Sequence, residues 1–149
     1  MKKIATTTFL LFFVFAFAQQ KTIDQKVETL LKQMTLEEKI GQLNQYTGDN
    51  TATGPITINP NKQDEIKKGL IGSMLNILGT KYTRQYQELA MQSRLKIPLL
   101  FGQDVIHGYK TTFPIPLAEA ASWDISAIEQ SARIAATEAA ASGIHWTFA

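Results

Sequence analysis

Cysteine is absent from the 149 residues, which excludes a disulfide framework, a thiolate nucleophile, a Cys-based zinc site and a lipidated N-terminal cysteine. A surplus of either charge is also missing: 15 basic side chains face 13 acidic ones, for a formal net charge of +2. Neutralising a phosphate backbone needs a basic surplus or a basic stripe, so no nucleic-acid partner is expected. No Gly-x-Ser-x-Gly elbow occurs, and Gly69-x-x-Gly72 lacks the lysine and the following helix of a phosphate loop. The continuous apolar run Phe9–Ala18 has ten residues, well short of the roughly 20 that a membrane-spanning helix needs.

That run has another meaning. Lys2 and Lys3 precede it, Ala16-Phe17-Ala18 closes it in a small-x-small pattern, and Gln19-Gln20 then turns polar. This is the layout of a secretory signal peptide, so residues 1–18 are expected to be a leader and the protein to be periplasmic or secreted. Taking 18 residues from 149 leaves 131, with 13 basic and 13 acidic groups. The net charge of +2 thus resides in the leader. At 44% hydrophobic residues the composition is of ordinary globular type, which argues against wholesale disorder.

Within residues 19–149, apolar positions at Val27, Leu30, Leu31 and Met34 recur at helical spacing. Thr35-Leu36-Glu37-Glu38 has the form of a capping box, predicting a second helix from Leu36 to about Leu43. Residues 47–60 read as a loop, and a short helix over 62–68 is expected to stop at Gly69. Buried strands are predicted near 70–76, 98–102 and 144–148. A helix capped by Thr80 and ending near Arg94 separates the first two. A Pro-bearing loop and a long Ala-rich helix from Asp124 to Ser142 precede the third. Alternating strands and helices imply βαβ units, a parallel sheet and an α/β fold class. Three strands are far fewer than the eight of a (β/α)8 barrel, and the last lacks a turn or polar tail after it, so the chain reads as the front part of a larger protein.

Asp104 is the foremost candidate for a site. It follows the second strand at its C-terminal end, where α/β folds place their ligands. A carboxylate there accepts hydrogen bonds only, which suits the vicinal hydroxyls of a sugar. The competing reading is an Asp that caps a turn with its side chain on nearby amides. His107 reads first as a histidine hydrogen-bonded within its loop and second as a wall of the same pocket. Asp104, His107 and His145 together could form a metal set, but no His-x-x-x-His or similar pair supports one, and no metal or organic cofactor is expected. Glu119 and Glu138 read as a loop residue and a solvated or hydrogen-bonded helix residue, Trp146 and Phe148 as core.

Several segments, in order, resemble the N-terminal domain of glycoside hydrolase family 3, the β-glucosidase and β-xylosidase group. They are Met34-Thr-Leu-Glu-Glu-Lys-Ile-Gly-Gln42, Gly72-Ser-Met-Leu-Asn76, Ser93-Arg-Leu-Lys-Ile-Pro-Leu-Leu-Phe-Gly-Gln-Asp-Val-Ile-His-Gly108, Thr112-Phe-Pro114, and Glu138 through Gly143-Ile-His-Trp-Thr-Phe-Ala149. The resemblance implies a retaining exo-glycosidase with a TIM-like (β/α)8 barrel, incomplete in this chain, and a glycoside or oligosaccharide as its partner. It implies that Asp104 binds hydroxyls of the terminal sugar in the −1 subsite, with His107 and Gly108 in the loop that shapes that pocket. The family's nucleophile, in a Ser-Asp-Trp-like segment, and its acid/base find no match within 149 residues, so no catalytic residue is assigned and the chain alone is expected to be inactive. The alternative from another class is an exported, non-catalytic sugar-binding or interaction domain.

Overall fold

The computed structural model describes residues 22–48 and 59–148. The expected leader, residues 1–18, and most of the expected loop over 47–60 lie outside the described residues. The chain divides into two compact units, at residues 1–33 and 34–149. In the first, helix α1 spans Ile23–Gln33, with Asp24 in its first turn and Lys32 in its last, each at the end where the helix dipole favours its charge.

The second unit is an α/β sheet structure. Helix α2 (Leu36–Gly41) leads to β1 (Gln45–Thr47), and α3 (Lys62–Lys67) to β2 (Ser73–Leu75). Helix α4 (Thr80–Ala90) precedes β3 (Leu100–Asp104). Helices α5 (Pro116–Ser122) and α6 (Ile125–Ala141) precede β4 (Trp146–Phe148). The four strands lie in chain order, β1-β2-β3-β4, and every pairing is parallel. The three predicted strands are present.

The fourth, β1, escapes prediction because it is three residues long and two of them, Gln45 and Thr47, are polar. Helix α5 lies where the sequence predicts a Pro-bearing loop, and it corrects Glu119 from a loop residue to a helical one. Pro116 at its first position supplies the fixed φ of a helix start. Helix α4 is capped by Gly79 rather than Thr80, which is its first helical residue, and it ends at Ala90 rather than near Arg94.

Register explains how the sheet sorts its side chains. Met74 pairs with both Tyr46 and Phe101, so all three project to one face, against the helices. There the core gathers Ile66, Ile71, Met74, Leu99, Phe101, Ala135 and Ala139. His145 extends this layer: its ring stacks on Phe101 at 5.8 Å, and its Nδ1 accepts the Phe101 amide at 3.1 Å. That bond leaves the imidazole proton on Nε2.

The opposite face carries Leu75, Leu100, Gly102, Asp104, Trp146 and Phe148. Leu100 is 53% exposed and Trp146 50%, which corrects the reading of Trp146 as core, while Phe148 is half-buried. They belong to the sheet face turned away from the helices, where Gly102 leaves room for the Phe148 ring.

The capping box forms as the sequence predicts. Thr35 Oγ1 accepts the Glu38 amide at 3.2 Å, and Glu38 Oε2 accepts the Thr35 amide at 2.9 Å. Glu38 also takes a bidentate pair from Arg94, tying α2 to the segment after α4. Chiefly through Arg94, and then through the Thr35 amide, its carboxyl is held below the ordinary carboxylate range. A carboxyl more acidic when folded than when unfolded stabilises the fold above its unfolded pKa and loses that contribution as pH falls through its folded one. Wild type should therefore exceed Glu38→Gln in stability at neutral pH, with the gap narrowing below about pH 4.5. Denaturant midpoints between neutral and acid pH check this; a gap that does not narrow would remove Glu38 from the acid limb.

Candidate functional site

Strand β3 delivers Asp104 to its C-terminal end by alternation. Phe101 and Gln103 turn into the helix layer, while Leu100, Gly102 and Asp104 turn to the other face. Parallel strands share one polarity, so the C-terminal ends of β1 to β4 lie on one rim, with Asp104 beside Phe148. Asp104 is exposed and, among the described residues, its carboxylate takes no hydrogen bond from the chain. The turn-capping alternative is therefore not what the structure contains. An anionic acceptor is left at the rim with its lone pairs open to a ligand's donors.

The loop after Asp104 folds on itself. The Phe113 amide donates to the His107 carbonyl at 2.8 Å, and His107 Nδ1 lies 3.1 Å from the Phe113 carbonyl oxygen. A carbonyl only accepts, so Nδ1 carries the proton. This agrees with the reading of His107 as bonded within its loop. Gly108 makes the turn possible: its φ of +117° lies where side chains are strained, and a Cβ there would overlap the Thr111 carbonyl oxygen.

Glu138, on α6, does more than the sequence suggested. Its Oε2 accepts the Lys110 and Thr111 amides, each at 2.8 Å, and its Oε1 accepts the Thr111 hydroxyl at 2.7 Å. These bonds, the Thr111 amide and hydroxyl first and the Lys110 amide next, hold its carboxyl below the ordinary range. Glu119 is joined to α6 through the Ser131 hydroxyl at 2.7 Å. Between this loop and α6 lies a cavity of about 280 Å³ lined by Val105, His107, Phe113, Glu119, Ser131 and Thr147. Asp104 does not line it.

Asp104 and His107 thus share one rim and loop, whereas His145 stands at the base of β4 with its Nδ1 committed to Phe101. Among the described residues no group of three or more His, Cys, Asp or Glu side chains could hold a metal ion. Nor is any described helix long and apolar enough to cross a membrane.

Residues 35–149 match the glycosyl hydrolase family 3 N terminal domain. The chain is 41% identical over 127 residues to a periplasmic beta-glucosidase of Salmonella typhimurium, covering 85% of this chain and 16% of that protein. It is 28% identical over 151 residues to a lysosomal beta glucosidase of Dictyostelium discoideum, covering 85% and 18%. Among solved structures it resembles the beta-glucosidase of Listeria innocua in complex with isofagomine, with a TM-score of 0.73 and 38% identity, covering 86% of this chain and 18% of that one. A mutant of the Listeria enzyme in complex with laminaribiose matches with a TM-score of 0.71. The chain therefore spans less than a fifth of the curated relatives it matches.

Proposed function

Because this chain belongs to glycosyl hydrolase family 3, its four parallel strands forming part of a TIM-barrel-like domain, we propose that the whole protein removes terminal β-linked sugars as a retaining exo-β-glucosidase. Asp104 is its sugar ligand in this chain. The observation that carries this reading is the open carboxylate of Asp104 at the C-terminal rim of a parallel sheet. A pyranose presents adjacent hydroxyl donors, and an ionised carboxylate can accept from two of them at once. The β-glucosidase names of the relatives supply the substrate class.

In this reading the reaction is double displacement. A carboxylate attacks the anomeric carbon as the glycosidic oxygen is protonated, and water then opens the covalent glycosyl intermediate. Both reacting carboxyls are expected outside residues 1–149, so this chain alone is expected to give no turnover. Its part is to fix the sugar ring where the attack occurs, a contribution of orientation rather than of bond-making. Export is part of the same proposal, supported by the leader pattern of residues 1–18 and by the periplasmic relative.

The test is to express the whole protein with its leader and assay an aryl β-glucoside. The expected result is hydrolysis in the fraction outside the cytoplasm, by a protein that begins at Gln19. An inert whole protein would overturn the catalytic reading, and activity confined to the cytoplasm with the leader retained would overturn the export.

A further inference from the structure

We propose that Glu138 is a positioning residue for the sugar pocket: it anchors the loop at 105–113 and so holds the segment that leaves Asp104. The proposal rests on the reading of Asp104 as a sugar ligand, and it concerns a residue that touches neither the sugar nor the reacting atoms.

Three observations converge. First, the loop has no regular structure beyond an isolated bridge between Ile106 and Gly108, so its shape depends on particular bonds. Second, one end is closed by His107 and Phe113, while the exposed tip at Lys110 and Thr111 is held by Glu138, 27 and 28 residues away in the chain. Third, a cavity of about 280 Å³ lies between the loop and α6, so packing supports this stretch only in part: Val105 at its start is buried in the core, Tyr109 and Phe113 are half-buried against it, and the tip at Lys110 and Thr111 is exposed. Three hydrogen bonds to one carboxylate connect the tip of the loop to a 17-residue helix. Two donors are backbone amides, which no substitution at 110 or 111 other than proline would remove. Only deleting the acceptor, Glu138, removes all three bonds at once.

The chemistry of the side chain makes the proposal testable. Gln at 138 can still accept both amides through its oxygen. Its NH2 group can donate to the Thr111 hydroxyl, which accepts as well as donates. Glu138→Gln thus keeps the connections without the charge, and Glu138→Ala loses all of them.

In the whole protein, Glu138→Ala should raise hydrogen exchange across 105–113 about tenfold or more. It should lower kcat/KM for an aryl β-glucoside about 10- to 100-fold, the scale expected when a binding group is misplaced by about 1 Å. Glu138→Gln should stay within about threefold of wild type in both. Unchanged exchange in Glu138→Ala would overturn the anchor. Raised exchange with unchanged kcat/KM would overturn the positioning role, as would a Gln variant as impaired as Ala. Thr111→Val removes a single bond and should shift exchange less, in the same direction; it decides the matter if Glu138→Ala does not fold, and no shift overturns the anchor. Were wild type inactive on the glycoside, the functional reading would fail while the exchange comparison still decided the anchor.

Discussion

Replacing Asp104 by Ala in the whole protein should lower kcat/KM for an aryl β-glucoside about 10- to 150-fold without altering the fold. The magnitude follows from the chemistry of the contact. Hydrogen bonds to a charged group are worth roughly 1.5–3 kcal/mol, and each 1.36 kcal/mol is a tenfold change in rate. The fold should survive because the side chain is exposed and, among the described residues, bonds nothing in the chain. Comparing kcat/KM with the unfolding midpoint separates the two effects. An unchanged kcat/KM would remove Asp104 from the pocket.

Phe101→Ala should produce the largest loss of stability, about 3–5 kcal/mol, the range for deleting a buried Phe ring. Phe101 is 2% exposed and lies in the central strand pair, one residue before Gly102 and three before Asp104. Removing the ring takes away the transfer free energy of its carbons, leaves a cavity between sheet and helices, and unstacks His145. The denaturant midpoint of the whole protein measures this, and a loss below about 1 kcal/mol would mean that the layer closes over the gap. Activity should fall only as far as folded protein is lost, which distinguishes this substitution from Asp104→Ala.

The two effects sit on opposite faces of one strand, and that alternation was only partly legible in the sequence. Leu99-Leu100-Phe101-Gly102 announces a buried strand by its apolar run, but a continuous run does not say which side chains face the helices. Pairing with Met74 decides that, and pairing is a long-range property. The Thr35–Glu38 box and the Gly69 stop are local, governed by side chains three residues apart or by a left-handed φ, and the structure has both as predicted. Strand β1 was missed because three residues with one apolar side chain make no period; its neighbour β2 defines it.

The site divides in the same way. Asp104 could be proposed from the sequence because α/β folds place ligands at the C-terminal ends of parallel strands, and the apolar run before it marks such an end. Glu138 could not be, since its partners lie 27 and 28 residues away and two of them are backbone amides, which leave no mark on residue identity. The only signal lay in its place within the segment that resembles the family. Trp146 misled for a physical reason too: an apolar strand residue is as suited to a barrel's inward face as to a helix layer, and composition does not distinguish them.

The central claim is that Asp104 holds the sugar, and a binding measurement tests it with no bond broken. Isofagomine, the ligand in the Listeria innocua relative, would be titrated into the whole protein and its Asp104→Ala variant at matched folded concentration. The expected result is saturable binding to wild type and an affinity about 10- to 150-fold weaker in the variant. Equal affinity for the two proteins would contradict the claim.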